Sequence, residues 1–154
     1  MSWLPDPEAT ACDAFSLSWS NEIIYAFPPF SVIDRVLQKL EDDGAMGIVV
    51  FPLWTTQHWF PRLLRLLMAA PLALPKKGRL LHLPYAPERR HPLEGQVKIC
   101  AALLSGSPSH REAFQTTLST LSSAHRVQSV STHLPSGSGY TSVLNGQLIQ
   151  FKQL

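Results

Sequence analysis

Two short apolar runs, each followed by a helical pattern, constrain the fold of this 154-residue chain more than any other feature. The first, residues 22–27 (Glu-Ile-Ile-Tyr-Ala-Phe), stops at Pro28-Pro29, and the second, residues 46–52, also ends at a proline. Continuous apolar runs of this length are typical of strands that are buried on both faces. We therefore predict that both form buried strands of a parallel sheet, joined by crossover helices.

The pattern continues as strand, helix, strand, helix, strand. Apolar residues recur at helical spacing from Val32 to Leu40, and Gly44 is placed to end that helix. A second helix is predicted from about Thr56 to Ala69, in which Pro61 is tolerated only in the first turn or as a kink. Short extended segments at residues 72–74 and 79–83 follow. The predicted inner stripe of the second helix comprises Trp59, Leu63, Leu66 and Leu67. The predicted fold class is α/β, an incomplete Rossmann-like parallel sheet whose first strands we expect upstream of Met1.

The second half of the chain is more irregular. Residues 84–94 have the composition of a linker, residues 97–104 and 109–123 are predicted helices, and the Ser/Gly/His-rich residues 124–139 are predicted to be disordered. Two β-prone runs around Asn145-Gly146 predict a terminal hairpin that needs a surface to pack on. We expect three segments: an α/β domain at 1–83, a linker with short helices at 84–140, and a hairpin tail at 141–154.

Cysteine, histidine and hydropathy patterns exclude several classes of protein. Cys12 and Cys100 lie far apart, and the six histidines show no metal-ligand spacing, so we expect no metal site. The amino terminus lacks the basic start and apolar stretch of a signal peptide. The longest apolar run, residues 63–74, is too short for a bilayer. We therefore expect an intracellular protein of the cytoplasm or nucleus with no membrane partner.

Charge is distributed unevenly along the chain. Residues 1–75 contain four Lys/Arg and eight Asp/Glu, a net charge of −4, whereas residues 76–154 contain nine and three, a net charge of +6. Such a basic half either contacts nucleic acid phosphates or is an ordinary solvated surface, and its wide spacing favours the second interpretation. The candidate phosphate-binding residues are Lys76, Lys77, Arg79, Arg89 and Arg90.

One constellation carries a chemical signal: Asp13-Ala14-Phe15 and Trp19 precede the first strand, and Phe27-Pro28-Pro29-Phe30-Ser31 follows it. In open α/β sheets the carboxyl end of a strand is where ligands bind. The constellation resembles that of phage-type DNA adenine methyltransferases, in which Asn-Pro-Pro-(Tyr/Phe) follows a strand. In a wider context, residues 5–8, 25–36, 50–54, 59–61 and 91–93 resemble the tails of DIRS-type retroelement polyproteins, in which a methyltransferase-like segment follows the reverse transcriptase and ribonuclease H.

The resemblance implies a role for each position of the motif. The carbonyl of Pro28 would accept a hydrogen bond from the target amine, Phe30 would stack on a flipped base, and Asp13 would lie near the adenosyl part of S-adenosylmethionine. The family's Asn or Asp before Pro-Pro is Phe27 here, and a phenyl ring accepts no such hydrogen bond. The loss of one positioned polar group typically costs about 10²–10³ in rate. The motif Phe27, Pro28, Pro29 and Phe30 is thus a degenerate catalytic site, or simply the end of a strand that packs into a core.

These observations lead to one expected function and two alternatives. We expect a non-catalytic segment of a retrotransposon polyprotein, without a cofactor, that contacts the other domains of the polyprotein or nucleic acid. One alternative is an S-adenosylmethionine-dependent adenine DNA methyltransferase domain. The other is a nucleic-acid-binding module that uses the basic half of the chain.

Overall fold

The computed structural model describes residues 13–75, 81, 96–128, 140–144 and 147–153. Its six strands form one sheet in the order β1-β2-β4-β3-β6-β5. The strands are β1 (Ile23–Ala26), β2 (Met46–Pro52), β3 (Leu72–Ala73), β4 (Ile99–Ser105), β5 (Tyr140–Leu144) and β6 (Gln147–Gln153). The helices are α1 (Ile33–Asp42), α2 (Phe60–Arg65) and α3 (Pro108–Gln128), and two 3-10 turns span Ala14–Ser16 and Phe30–Val32. All three predicted segments of the chain, 1–83, 84–140 and 141–154, contribute strands to this one sheet.

The sheet is mixed, which corrects the prediction of a parallel one. β1 and β2 are parallel, but β4 pairs antiparallel with β2 along its full length and antiparallel with β3 on its other side. β3 therefore runs in the same direction as β2 but one strand further away. The predicted strand-helix-strand-helix-strand order is present as β1-α1-β2-α2-β3, with a later strand inserted between the second and third strands.

The segment from Val97 to Leu104 was predicted to be a helix, and this prediction is wrong. Ile99–Ser105 is the strand β4. Its alanines and leucines favour a helix locally, but each residue lies in a ladder with β2, from Pro52↔Ile99 to Met46↔Ser105. Pairing on both edges and burial on both faces outweigh an intrinsic preference of a few tenths of a kcal/mol per residue.

The first strand is less buried than the sequence predicts. β1 is the terminal strand of the sheet, and both Ile23 and Tyr25 are 73% exposed. Only Ile24 and Ala26 of β1 pack against the core. An apolar run alone does not distinguish a central strand from an edge strand, because the number of neighbours depends on the topology.

All three helices contribute to a core on one face of the sheet. The residues in β2 and β4 that face them are Val49, Phe51, Cys100, Ala102 and Leu104. The helices contribute Ile33, Val36, Leu37, Leu40, Phe60, Leu63, Leu64 and Leu118, and the flanks of α2 add Trp59, Leu66 and Leu67. The predicted stripe of the second helix is thus buried, although α2 itself is shorter than predicted and Pro61 lies in its first turn as expected.

Charged side chains connect the three helices at the rim of this core. Arg62 of α2 donates to Asp34 of α1 at 2.8 Å and lies 4.0 Å from Glu41 at the other end of α1. Arg111 of α3 lies 3.7 Å from Glu41. Arg62 and Glu41 therefore link α1 to both α2 and α3.

The terminal hairpin is confirmed. β5 and β6 are antiparallel, with Leu144 opposite Gln147, and β6 joins the main sheet beside β3, with Leu72 opposite Lys152. Ile149 and Phe151 are buried in the core. The hairpin thus packs on the third strand of the α/β unit.

Two glycines explain how the chain turns around α1. Gly44 follows α1 with a φ of +61°, a conformation that glycine adopts without strain. Gly106 follows β4, donates to the carbonyl of Ala45 at 2.8 Å, and lies so close to the carbonyl oxygen of Leu40 that an added Cβ would overlap with it. Gly44 was predicted to end the helix, and Gly106 lets β4 and α1 approach each other.

Residues 124–128 continue α3, so the prediction of disorder is wrong for them, because extending a formed helix costs little per residue. Residues 129–139, most of 79–83 and all of 84–94 lie outside the described residues. Within the described part of the chain, no helix is both long and apolar enough to cross a membrane.

Candidate functional site

The Pro-Pro turn lies at the carboxyl end of β1. Because β1 and β2 are parallel and Ala26 pairs with Val49, the residues that follow each strand lie side by side at one edge of the sheet. These are Phe27 to Phe30 after β1, and Leu53 and Trp54 after β2. The motif therefore lies at the carboxyl end of a strand that pairs parallel with its neighbour, as predicted.

Phe30 packs against the neighbouring strand end. Its ring contacts the indole of Trp54 edge to face, with ring centroids 4.9 Å apart and an interplanar angle of 76°. Both side chains are partly buried against the core. The amide of Val32 donates to the carbonyl of Pro29 at 3.0 Å, which closes the 3-10 turn that carries Phe30. Phe30, predicted as the base-stacking residue, is thus engaged with Trp54.

Phe27 occupies the position at which the resemblance places an amine-binding side chain. The ring is 45% exposed, and it carries no atom that can accept a hydrogen bond from an amine. Asp34, the carboxylate in the first turn of α1, is held by Arg62 at 2.8 Å and lies 3.8 Å from His58. Asp34, the first carboxylate after the motif, is therefore already paired with a cation of α2.

Asp13, the predicted cofactor contact, is exposed and caps its own turn. Its Oδ1 accepts a hydrogen bond from the amide of Phe15 at 2.9 Å, and its backbone carbonyl accepts one from the Ser16 hydroxyl at 2.6 Å. These bonds fix the 3-10 turn Ala14–Ser16. A role for Asp13 in cofactor binding stays a prediction.

Trp19 attaches this amino-terminal segment to α1. The indole is buried, its Nε1 donates to the carbonyl of Ala14 at 2.9 Å, and its amide donates to Oδ2 of Asp43 at 2.7 Å. The ammonium group of Lys39 donates to the same oxygen at 2.8 Å. The hydrogen bond from Lys39, followed by that from the Trp19 amide, holds the pKa of the Asp43 carboxyl below its usual value.

An open cleft of about 340 Å³ lies between this segment and α1. The guanidinium of Arg35 lies 4.0 Å from the centre of the Phe15 ring, a cation–π contact across the cleft. The lining residues are Phe15, Arg35, Gln38, Lys39, Asp42 and Asp43. The cleft contains none of the motif residues, and its cations and anions are balanced, so it does not extend the candidate site. No sequence motif indicates this cleft, because its residues come together only when the amino-terminal segment folds onto α1.

The remaining predicted site residues are the five basic residues of the second half of the chain. Lys76, Lys77, Arg79, Arg89 and Arg90 lie outside the described residues. Among the residues that are described, no group of three or more His, Cys, Asp or Glu side chains is arranged to hold a metal ion.

Comparison with known proteins found no match to a family model, a curated protein or a solved structure.

Proposed function

We propose that this chain is a non-catalytic segment of a DIRS-type retroelement polyprotein, in which a methyltransferase-like α/β unit serves as a structural element. The observation that carries the proposal is the phenyl ring of Phe27 at the carboxyl end of β1. A methyl transfer to an exocyclic amine needs an acceptor there, because the acceptor directs the nitrogen lone pair toward the methyl donor. A hydrocarbon ring cannot perform this role.

The contact between Phe30 and Trp54 supports the same proposal. A base-stacking platform needs an open aromatic face, whereas Phe30 is partly buried and meets Trp54 edge to face. In this interpretation the turn joins the ends of β1 and β2. The sequence motif is retained because it stabilises the fold, although it no longer binds a base.

Titration with S-adenosylmethionine tests the proposal. We expect no saturable heat of binding when the 154-residue chain is titrated up to about 1 mM cofactor, a weak limit that corresponds to about −4 kcal/mol. An active adenine methyltransferase, the alternative, would bind the cofactor and transfer a labelled methyl group to adenine in DNA. Saturable binding or methyl transfer by this chain would contradict the proposal.

The variant Phe27→Asn makes the test sharper. It places an amide at the position of the missing polar group, and Phe27 is exposed enough for the substitution to leave the fold intact. We expect the variant to remain inactive as well, because one amide does not supply a cofactor site. Methyl transfer gained by Phe27→Asn would show that a working cofactor site is present and would contradict the structural role.

The genomic DNA upstream of Met1 tests the retroelement origin independently. We expect an open reading frame that encodes a reverse transcriptase and a ribonuclease H in the same orientation. Contact of the segment with nucleic acid is tested by filter binding at increasing salt concentration, since phosphate contacts weaken steeply with salt. An upstream region without retroelement genes would remove the basis for the polyprotein assignment.

A further inference from the structure

The face of the sheet opposite the helices is open where β1 and β2 meet. Alternation along β1 directs Ile23 and Tyr25 away from the core, and each is 73% exposed. Phe27, two residues after Tyr25, is 45% exposed, and Ile48, which pairs with Tyr25 in the parallel ladder, is 42% exposed. These four side chains, the outer-face patch, expose on the order of 500 Å², the size of the largest apolar patch of a typical monomer, which is often functional.

Two of the four side chains are aromatic and accessible. Tyr25 and Phe27 are about 7 Å apart along the strand, which is about twice the 3.4 Å between successive stacked bases, so neighbouring bases of an extended strand can each contact one ring. Among the described residues, neither ring packs on another aromatic ring, in contrast to Phe30, which is covered by Trp54. Accessible aromatic rings on an open sheet face are used by proteins to stack the unpaired bases of single-stranded nucleic acid.

Positive charge is tethered at the end of the sheet to which this row leads. Pro52, the last residue of β2, pairs with Ile99, and the amide of Leu74 donates to the carbonyl of Ile99 at 2.9 Å. The connection between β3 and β4 therefore leaves and re-enters the sheet at the edge where β2 ends, and Phe27 follows the parallel strand β1 at the same edge. Residues 76–95 of this connection contain five Lys/Arg and two Glu, a net charge of +3. A polyanion is attracted to this edge at a distance, whether or not the connection contacts it.

The acidic residue that flanks β1 lies at the other end of the row. Glu22 precedes the strand and is about 10 Å from Tyr25 and about 17 Å from Phe27, at 3.4 Å per residue. A polyanion on the outer-face patch is thus repelled at the amino end of β1 and attracted at the carboxyl end. Exposed rings together with a tethered positive charge match a single-stranded nucleic acid, whereas an apolar protein partner would use the rings alone.

We propose that the outer-face patch binds single-stranded nucleic acid, with successive bases stacked on Tyr25 and Phe27. The bases lie on the surface of the sheet and none enters the Pro-Pro turn, so this contact differs from the flipped-base role that the resemblance implies for Phe30. Every base has a face that can stack, so the binding shows little sequence preference. It goes beyond the structural role proposed above and needs no cofactor, so it can be tested whether or not that proposal holds.

Fluorescence anisotropy with a labelled oligothymidylate, at low salt, tests the class of nucleic acid. The wild-type chain is expected to bind the single strand at least about tenfold more tightly than a duplex of the same length, because paired bases are not free to stack on the rings. Binding by charge alone would favour the duplex, whose charge density is higher. A duplex that binds as tightly as the single strand, or a single strand that does not bind, overturns the proposal.

Substitution of Tyr25 tests the stacking contact. Tyr25→Ala is expected to weaken binding of the oligothymidylate by about tenfold, whereas Tyr25→Phe keeps the ring and is expected to bind within about twofold of the wild type. Leu17→Ala is the matched control, because Leu17 is also an exposed apolar residue, at 40%, but lies in the segment before β1. Circular dichroism checks that each variant is folded. Wild-type affinity in Tyr25→Ala, or an equal loss in Tyr25→Phe or Leu17→Ala, overturns the proposal and would leave an apolar protein as the partner that fits the patch.

Discussion

Replacing Phe30 with alanine tests whether the Pro-Pro-Phe turn is a structural joint. Complete removal of a fully buried phenylalanine costs about 3–5 kcal/mol. Phe30 is only partly buried and contacts Trp54 at a centroid distance of 4.9 Å. We therefore expect Phe30→Ala to lower the free energy of unfolding by about 2 kcal/mol. The measurement is urea denaturation followed by circular dichroism, with the slope of the transition compared between variants.

Phe27→Ala is the matched control, because it removes the same ring three residues earlier from an exposed position. It is expected to change the free energy of unfolding by less than about 0.5 kcal/mol. Trp54→Ala and the double variant complete a cycle in which the coupling between Phe30 and Trp54 should be about 0.5–1.5 kcal/mol. Equal costs at Phe27 and Phe30, or costs at Phe30 and Trp54 that simply add, would refute the structural role of the turn.

Three further predictions follow from the packing. Gly106→Ala is expected to lower the free energy of unfolding by about 3 kcal/mol, the upper end of the usual cost of overpacking, because its Cβ would overlap with a carbonyl oxygen of α1. Gly44→Ala is strained at a φ of +61° but meets no atom, and it should cost about 1 kcal/mol in denaturant unfolding. Arg62→Met should lower the free energy of unfolding by about 1 kcal/mol at low salt, because its salt bridges to α1 are partly exposed to solvent. Salt screens such bridges, so a loss of stability that is just as large at 1 M NaCl would contradict this assignment. Burial raises the pKa of the Cys100 thiol to about 11. In a Cys12→Ser background, a disulfide reagent at pH 8 should therefore label Cys100 only after the protein unfolds. Fast labelling of the native protein would disprove the burial of this thiol.

Much of the fold could be predicted from local sequence. The apolar run that ends at Pro52 forms β2, the helical spacing that ends at Leu40 forms α1, and the Asn145-Gly146 signal marks the terminal hairpin. Each of these patterns is contained in a stretch of about ten residues. The backbone preferences of those residues, together with the spacing of the apolar ones, are enough to specify the helix, strand or turn.

The insertion of β4 could not be predicted in this way. Its residues Ile99 to Ser105 adopt a strand because β2 and β3 are available on both sides, and those partners lie more than 25 residues earlier in the chain. The same reason explains the error at β1, where Ile23 and Tyr25 are exposed because no strand follows on the outer side among the described residues. Topology decides these features, and local composition does not encode it.

The position of the Pro-Pro turn could be predicted from the sequence, but the contacts of its side chains could not. The turn after β1 lies where the α/β rule places it, whereas the packing of Phe30 on Trp54 joins residues 24 positions apart. Likewise, Asp43 at the end of α1 accepts hydrogen bonds from the Trp19 amide and from Lys39. Both pairings depend on the crossing of α1 over the sheet, which no short sequence motif reveals.

The late position of β4 in the chain has a consequence for biosynthesis. β2 is complete when the ribosome has passed Pro52, but the strand that covers its inner edge is complete only at Ser105. At about 5–20 residues per second, this interval lasts roughly 3 to 10 s. During that time this edge of β2 has no native partner in the nascent chain. Transiently exposed strand edges of this kind favour aggregation, so slower translation between Pro52 and Ser105 lengthens the exposure.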